Sequence, residues 1–378
     1  MGKDYKGKCL RRQSNFELLR IIAMLMIIAH HFCVHGGFDY DVSDLSTNRF
    51  WIDIFSMGGK IGVNIYVIIS GYFLINNTRI KKERIIKLWS QMLLFSVSLL
   101  LFSFFFTKSM EFANTNGFLF ELVQSFFPVI TRVWWFASAY FILYCFTPLI
   151  NKFIKSLDKR TFQIMLIGMT LIWCIVPSIT VSQWVVESNQ LLWFFYLYCL
   201  VGYYRIYGLS AKRSKRKSRT WFFWAFAVFL FTALSIVILS FLGTKIHFFE
   251  DKSRHFLHEQ SLTLLLISIF LFLGFERINI NSKIINEIAS TTFGIYLIHD
   301  YRYMSEFLWK DIFNVASFQY SNYLIPYSIV VVLIVFVCCG IIEYIFKFTF
   351  ERAIYKIVSI TIPQVTRRAK KIISRKKQ

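Results

Sequence analysis

The chain has 378 residues, 56% hydrophobic and 19% aromatic with 43 phenylalanines, and a mean hydropathy of +0.52, a balance that excludes an ordinary soluble domain and indicates a polytopic membrane protein. Its net charge of +22 would suggest nucleic acid in a soluble chain. Here the basic residues sit in short blocks between apolar runs with no nucleic-acid motif, so they read as a topology signal and as contacts for anionic lipid head groups.

The basic opening segment, 1–15, runs into an apolar stretch at 16–34 without a small-residue cleavage site, and so predicts an uncleaved first span. Runs near the roughly 20 residues that cross a bilayer follow at 58–76, 86–107, 134–151, 161–180, 191–207, 220–242, 261–276, 289–309 and 326–348. The expected fold is therefore an all-α polytopic bundle of about ten transmembrane helices with both termini on one side. Segments 1–15, 76–90, 151–160, 208–220, 277–288 and 347–378 hold thirty-two Lys and Arg, and the five alternate segments hold seven. That asymmetry predicts cytoplasmic N- and C-termini in a multi-pass plasma-membrane protein. The domain plan is a basic tail at 1–15, one membrane domain at 16–348 and a second basic tail at 349–378. The basic loop "AKRSKRKSR", 211–219, fits the same cytoplasmic face. The seven cysteines are scattered, with no CxxC pair or metal-ligand spacing, so neither a disulfide framework nor a metal site is expected.

Ionisable residues inside a span are costly and mark function or a polar partner. In the first span, "RIIAMLMIIAHHF", Arg20 and His31 are eleven residues apart, which returns a helix to within about 20° of one face and about 16 Å along its axis. They predict a polar stripe running from the inner end outward, with His30 rotated off it and Glu17 one turn before Arg20, placed to pair with it. Arg20 alone is equally open to snorkelling to the interface. In "GGKIGVNIYVIISGYFLI", Asn64 falls near the level of His31, and Tyr66 and Ser70 share a face. Gly62 and Gly71 permit close helix approach. Asn64 reads either as an orienting donor or as a plain helix–helix hydrogen bond. Trp134 and Trp135 open the fourth span and suit an interfacial aromatic belt. In "ASTTFGIYLIHDYRY", His299 lies near midplane, Tyr296 one turn before it, and Asp300 and Arg302 just beyond, a costly set without a wet cavity or partner.

Four segments together resemble the membrane-bound acyltransferase family 3, which includes bacterial polysaccharide O-acetyltransferases: "NFELLRIIAMLMIIAHH" with its Arg20-to-His31 spacing, "GVNIYVIISGYF", "WWFASAYFILYCFTPLIN" and "TTFGIYLIHD". The chain departs from many members by carrying Asn64 where they have Asp. The resemblance implies an acyltransferase with a cytoplasmic acyl-CoA donor, most often acetyl-CoA, no permanently bound cofactor, and a polysaccharide or lipid-linked glycan acceptor at the outer face of a bacterial plasma membrane. On that basis His31 is expected as base or transient acyl carrier. Arg20 is the expected CoA-phosphate clamp, with Arg205 as a secondary candidate or a snorkelling residue. His299 and Asn64 are expected to orient the acceptor or bind the oxyanion, with Glu17, His30, Ser70 and Tyr296 in support. A non-enzymatic polysaccharide or small-molecule transporter is the alternative that ten spans and intramembrane charge also allow, and succinyl transfer or N-acetylation would be variants of the enzyme reading.

Overall fold

The computed structural model describes residues 13–107, 115–180, 189–207, 217–250 and 252–351; the two tails at 1–12 and 352–378 and most of the basic 211–219 loop lie outside the described residues. Every regular element among the described residues is helical. The first, α1 (Ser14–His35), is a run free of Gly and Pro, and it stops at Gly36 and Gly37, where Gly37 takes φ +75°, the left-handed turn that only glycine enters without strain.

α2 (Thr47–Ser56) is capped by Ser46, whose hydroxyl accepts from the Arg49 amide. Only Met57, itself helical at φ −55° and ψ −31°, separates it from α3 (Gly58–Leu74), so the two form one nearly continuous helix, Thr47–Leu74, packed against α1. Then follow α4 (Lys82–Phe106), α5 (Thr115–Phe126) and α6 (Trp135–Ser156). α7 (Lys159–Thr170) starts on an Asp158 cap, where hydrogen bonds from Thr161 hold the carboxyl below its usual range. It passes through a widened π turn, Leu171–Ile175, into α8 (Val176–Ile179). Pro177 lacks the N–H that the ordinary ladder would use there, which accounts for the widening.

α9 (Gln190–Tyr207), α10 (Ser218–Gly243) and α11 (Leu262–Glu276) complete the middle of the chain. The last third holds α12 (Lys283–Ala289), α13 (Thr292–His299), α14 (Arg302–Glu306) and α15 (Leu324–Phe346). α1 is the hub, packed against α2, α3, α11, α12, α13 and α15.

Among the described residues, seven helices are long and apolar enough to cross a membrane: Ser14–His35, Thr47–Leu74, Lys82–Phe106, Trp135–Ser156, Lys159–Ile179, Ser218–Gly243 and Leu324–Thr349. Of the ten expected spans, three differ from that pattern. α9 has the length of a span, but its eighteen residues include five tyrosines, which lower its hydropathy. Its Trp193, Phe194, Tyr196 and Tyr198 are buried in protein. α11 has fifteen residues, about 22 Å of helix against a hydrocarbon core of about 30 Å. The 289–309 run is three pieces, broken at Ser290–Thr291 and again at Asp300–Tyr301. A broken helix at membrane depth is tolerated where it is buried in protein or lines a wet cavity, and this break lies at the site described next.

α1 and α3 approach closely, and glycine is the reason. A Cβ at Gly62 would lie 2.6 Å from the Ala23 carbonyl oxygen, and one at Gly58 would lie 2.7 Å from that of Met26. This is the small-residue spacing that lets two backbones touch in a membrane. Gly71 does the same for α3 against α9, where a Cβ would meet Val201 at 2.6 Å.

Candidate active site

His31, the fifth residue from the end of α1, meets His299, the last residue of α13. Their ring nitrogens, Nδ1 of His31 and Nε2 of His299, are 3.0 Å apart. His299 is fully buried and its Nδ1 lies 2.6 Å from the Ile295 carbonyl oxygen. A carbonyl only accepts, so His299 Nδ1 carries the proton and, in the neutral ring, Nε2 is bare. His31 Nδ1–H must then donate to it, leaving His31 Nε2 as the free base of the pair. That Nε2 faces Asp300 Oδ1 at 3.3 Å. The hydrogen bonds thus define a chain, Ile295 carbonyl to His299 to His31, whose free Nε2 faces Asp300 at its end.

Asp300 reaches this position because α13 ends at His299 and the chain turns at Asp300–Tyr301 before α14 begins. A continuous helix would have rotated Asp300 about 100° away from His299 along the same rod. Asp300 was recognised in the sequence as costly but was given no role there. The signal was its adjacency to His299 inside an apolar run.

His31 and Asp300 open onto a cavity of about 920 Å³, which His30, His35, Tyr296 and Trp135 also line. His35 is one turn past His31 on the same face, with ring centroids 5.3 Å apart. It was missed in the sequence although the four-residue spacing was there to find. His31, His35 and Asp300 each bring a donor atom within 4.8 Å of the others, a grouping that a divalent cation fits and that sequence spacing did not show, because Asp300 comes from the far end of the chain. His30, rotated off the stripe as expected, faces the Ser56 carbonyl through Nδ1 at 2.6 Å and packs on Gly59. Tyr296 lines the cavity beside Asp300, and its hydroxyl makes no well-formed hydrogen bond.

The remaining sequence candidates lie elsewhere. Arg20 pairs with Glu17, Nη1 lying 3.0 Å from Oε1 and 3.1 Å from Oε2, as the spacing predicted. It does not line the 920 Å³ cavity. Between it and His31 the stripe carries Ala23, Met24 and Ile27, all packed in the core, so the continuous polar seam expected along α1 is interrupted. Aromatic rings fill the level in between. Phe136 touches Tyr66 on one side and Tyr296 on the other, with centroids at 6.1 and 5.4 Å, and the Tyr66 hydroxyl donates to the Arg20 carbonyl at 2.9 Å.

Asn64 is fully buried, and its Oδ1 accepts from Trp193 Nε1 at 2.9 Å. That is the helix–helix alternative, and Asn64 is not among the cavity-lining residues. Ser70 accepts from the Tyr140 hydroxyl at 3.1 Å and ties α3 to α6. Arg205 donates to the Tyr72 hydroxyl at 2.7 Å and lies over that ring, while Tyr72 donates to Glu276 at 3.1 Å. It is thus tied to α3 and, through Tyr72, to Glu276 of α11, and its exposed position at the end of α9 is also that of a snorkelling residue. Trp134, expected in an aromatic belt, is 1% exposed and donates to the Leu297 carbonyl at 3.1 Å, so it anchors α6 to the helix that carries His299. Its partner Trp135 lines the cavity.

Comparison with curated proteins and with solved structures finds no significant match. Comparison with family models finds one, the acyltransferase domain of the acyltransferase family 3, matching residues 13–343 and so containing α1 through Glu343 of α15 with the whole His31–His299–Asp300 cluster. The chain belongs to the membrane acyltransferase family 3.

Proposed function

We propose that this membrane acyltransferase moves an acyl group, acetyl in the first instance, from acyl-CoA on the cytoplasmic side to a hydroxyl of a cell-surface or lipid-linked glycan on the other. The positive-inside asymmetry of the sequence supports cytoplasmic termini in a bacterial plasma membrane, and with that orientation the 920 Å³ cavity opens outward and the Arg20 end of α1 faces the cytoplasm. The observation that carries the reading is the bare Nε2 of His31, fixed by His299 on one side and facing Asp300 on the other, within a polar cavity.

Acyl transfer to an alcohol needs a base for the hydroxyl proton. His31 Nε2 takes that proton as the acceptor oxygen attacks the thioester carbonyl. The new C–O bond forms, the C–S bond breaks, and CoA leaves as a thiolate that is protonated from the imidazolium. Asp300 stabilises the imidazolium that exists between these events, and His299 holds the tautomer. The same base would serve an acyl-His31 intermediate by delivering the acyl group in two steps. Arg20, on the inner side, is the residue for a CoA phosphate, with Glu17 orienting its guanidinium. Arg205 is a second basic group at that end. The thioester must pass the Tyr66–Phe136–Tyr296 layer to reach His31, so those rings swing aside when donor binds. Basic surface at the cytoplasmic ends attracts anionic lipids.

The test is transfer of radiolabelled acetyl from acetyl-CoA to cell-envelope glycan in membranes from His31→Ala and Arg20→Ala strains at matched protein levels. The His31 variant should lose label by at least about 10²-fold, while the Arg20 variant should need much more acetyl-CoA to reach half-maximal rate. Wild-type labelling by the His31 variant would remove the assignment, and glycan that moves without gaining label would favour the transporter.

A further inference from the structure

The cavity around His31 carries four cations, Lys60, Arg132, Arg302 and Lys310. Three have carboxylate partners: Lys60 lies 3.8 Å from Glu259, Arg302 lies 2.5 Å from Glu121 and Lys310 lies 3.6 Å from Glu306. Arg132 differs. Among the described residues its side chain bonds only the neutral amide of Gln190, Nη2 to Oε1 at 3.4 Å. Its charge is therefore left facing the cavity mouth.

Its backbone is also unusual. Arg132 takes φ +54° in the turn between α5 and α6. The Val133 amide closes that turn onto the Pro128 carbonyl at 3.1 Å, the six-residue closure that ends many helices and places glycine at the left-handed position just before it. Any side chain there is strained, and the single 3.4 Å contact of Arg132 with Gln190 offers little to offset it. Strain of this kind is kept where the side chain has a task outside the fold. Two residues on, Trp135 presents a half-buried ring to the same cavity, with the Lys60 ammonium 5.9 Å from its centroid.

We infer that Arg132, with Gln190 and Trp135, forms an acceptor subsite for an anionic glycan, one whose repeating unit carries a carboxylate or a phosphate. This rests on the acyl-transfer reading for the word acceptor, but the binding it describes does not need the reaction. The guanidinium makes the charge-assisted, two-pronged contact that either anion takes. Gln190 Oε1 keeps the fork oriented, and the Trp135 ring supports a sugar face. A neutral glycan would leave the Arg132 charge uncompensated, and this is the source of discrimination.

The experiment is equilibrium binding to the full-length protein in nanodiscs, without acyl-CoA, of three short oligomers: neutral maltotriose, tri-galacturonate and a glycerol-phosphate trimer. One of the two anionic oligomers should bind at least about ten-fold tighter than maltotriose, and the preference should shrink as salt rises. Whichever oligomer wins identifies carboxylate or phosphate. Arg132→Gly relieves the left-handed strain, so it should unfold at the same or a higher temperature while losing most of the preference. Arg132→Gln gives the same loss should the glycine variant prove unstable. The inference is overturned if maltotriose binds as well as both anions, if none of the three binds, or if both variants keep the wild-type preference. Because no acyl donor is present, a failure of acetyl transfer would leave this result standing, and the reverse.

Discussion

Replacing Asp300 by asparagine tests the proton chain with the least disturbance of shape. The amide is nearly isosteric, and its carbonyl oxygen can still accept from the imidazolium Nε2–H of His31. What it removes is the negative charge that steadies the imidazolium formed during transfer. The Asp300 and His31 side chains are 11% and 9% exposed and their facing atoms are 3.3 Å apart. At an effective dielectric of about 20 that separation is worth roughly 5 kcal/mol between full charges. The cavity is open to water and the amide dipole keeps part of the attraction, which reduces the loss to about 3–4 kcal/mol. At 1.36 kcal/mol per decade this is a fall in kcat of about 10²–10³-fold. The assay is steady-state release of CoA thiol, followed colorimetrically in proteoliposomes supplied with acetyl-CoA and envelope glycan, with KM for acetyl-CoA measured alongside. Because Asp300 acts on the imidazolium and not on donor binding, that KM should stay within about threefold. An Asp300→Asn enzyme that keeps a tenth or more of wild-type kcat would refute the argument, as would one that loses only donor affinity. His299→Gln offers a companion measurement. Its amide oxygen can still accept from His31 Nδ1–H, so it should lose much less activity than His299→Leu, which offers no acceptor.

Two further outcomes follow from other parts of the fold. Gly62→Val should destabilise the protein by at least about 1–3 kcal/mol, read as a lower unfolding temperature in detergent, because its Cβ alone would sit 2.6 Å from the Ala23 carbonyl oxygen; Gly168→Ala, with nothing within 4 Å of the added atom, should be neutral or slightly stabilising. With the native cysteines replaced, Ser43→Cys should react with a membrane-impermeant maleimide in intact cells and Asn281→Cys only after permeabilisation; the opposite pattern would invert the proposed orientation.

Much of the helical plan was legible because apolar run length and helix pitch are local properties. α1, α3, α4, α6, α10 and α15 fall where the apolar runs put them. The Glu17–Arg20 pair and the close approach at Gly62 also follow from spacing along one helix. The errors came where neighbours decide. Trp134 reads as a belt residue, yet it donates to the Leu297 carbonyl more than a hundred residues away, and Asn64, open in the sequence to a site role or a helix–helix bond, accepts from Trp193. The unbroken ninth span failed because the cost of breaking a helix at Asp300 is set by what surrounds it, and here it lines a cavity.

The sequence by itself determined that this is a helical membrane protein of the acyltransferase kind, since hydropathy, charge asymmetry and motif spacing are all carried by residues close together in the chain. Only the tertiary structure decided which of its ionisable groups share a site. His31 and Asp300 are separated by most of the chain, and His31 Nε2 is bare only because His299 is pinned to the Ile295 carbonyl and accepts from the other nitrogen. Proton placement depends on distances of about 3 Å between separate helices, and no periodicity within one helix specifies those.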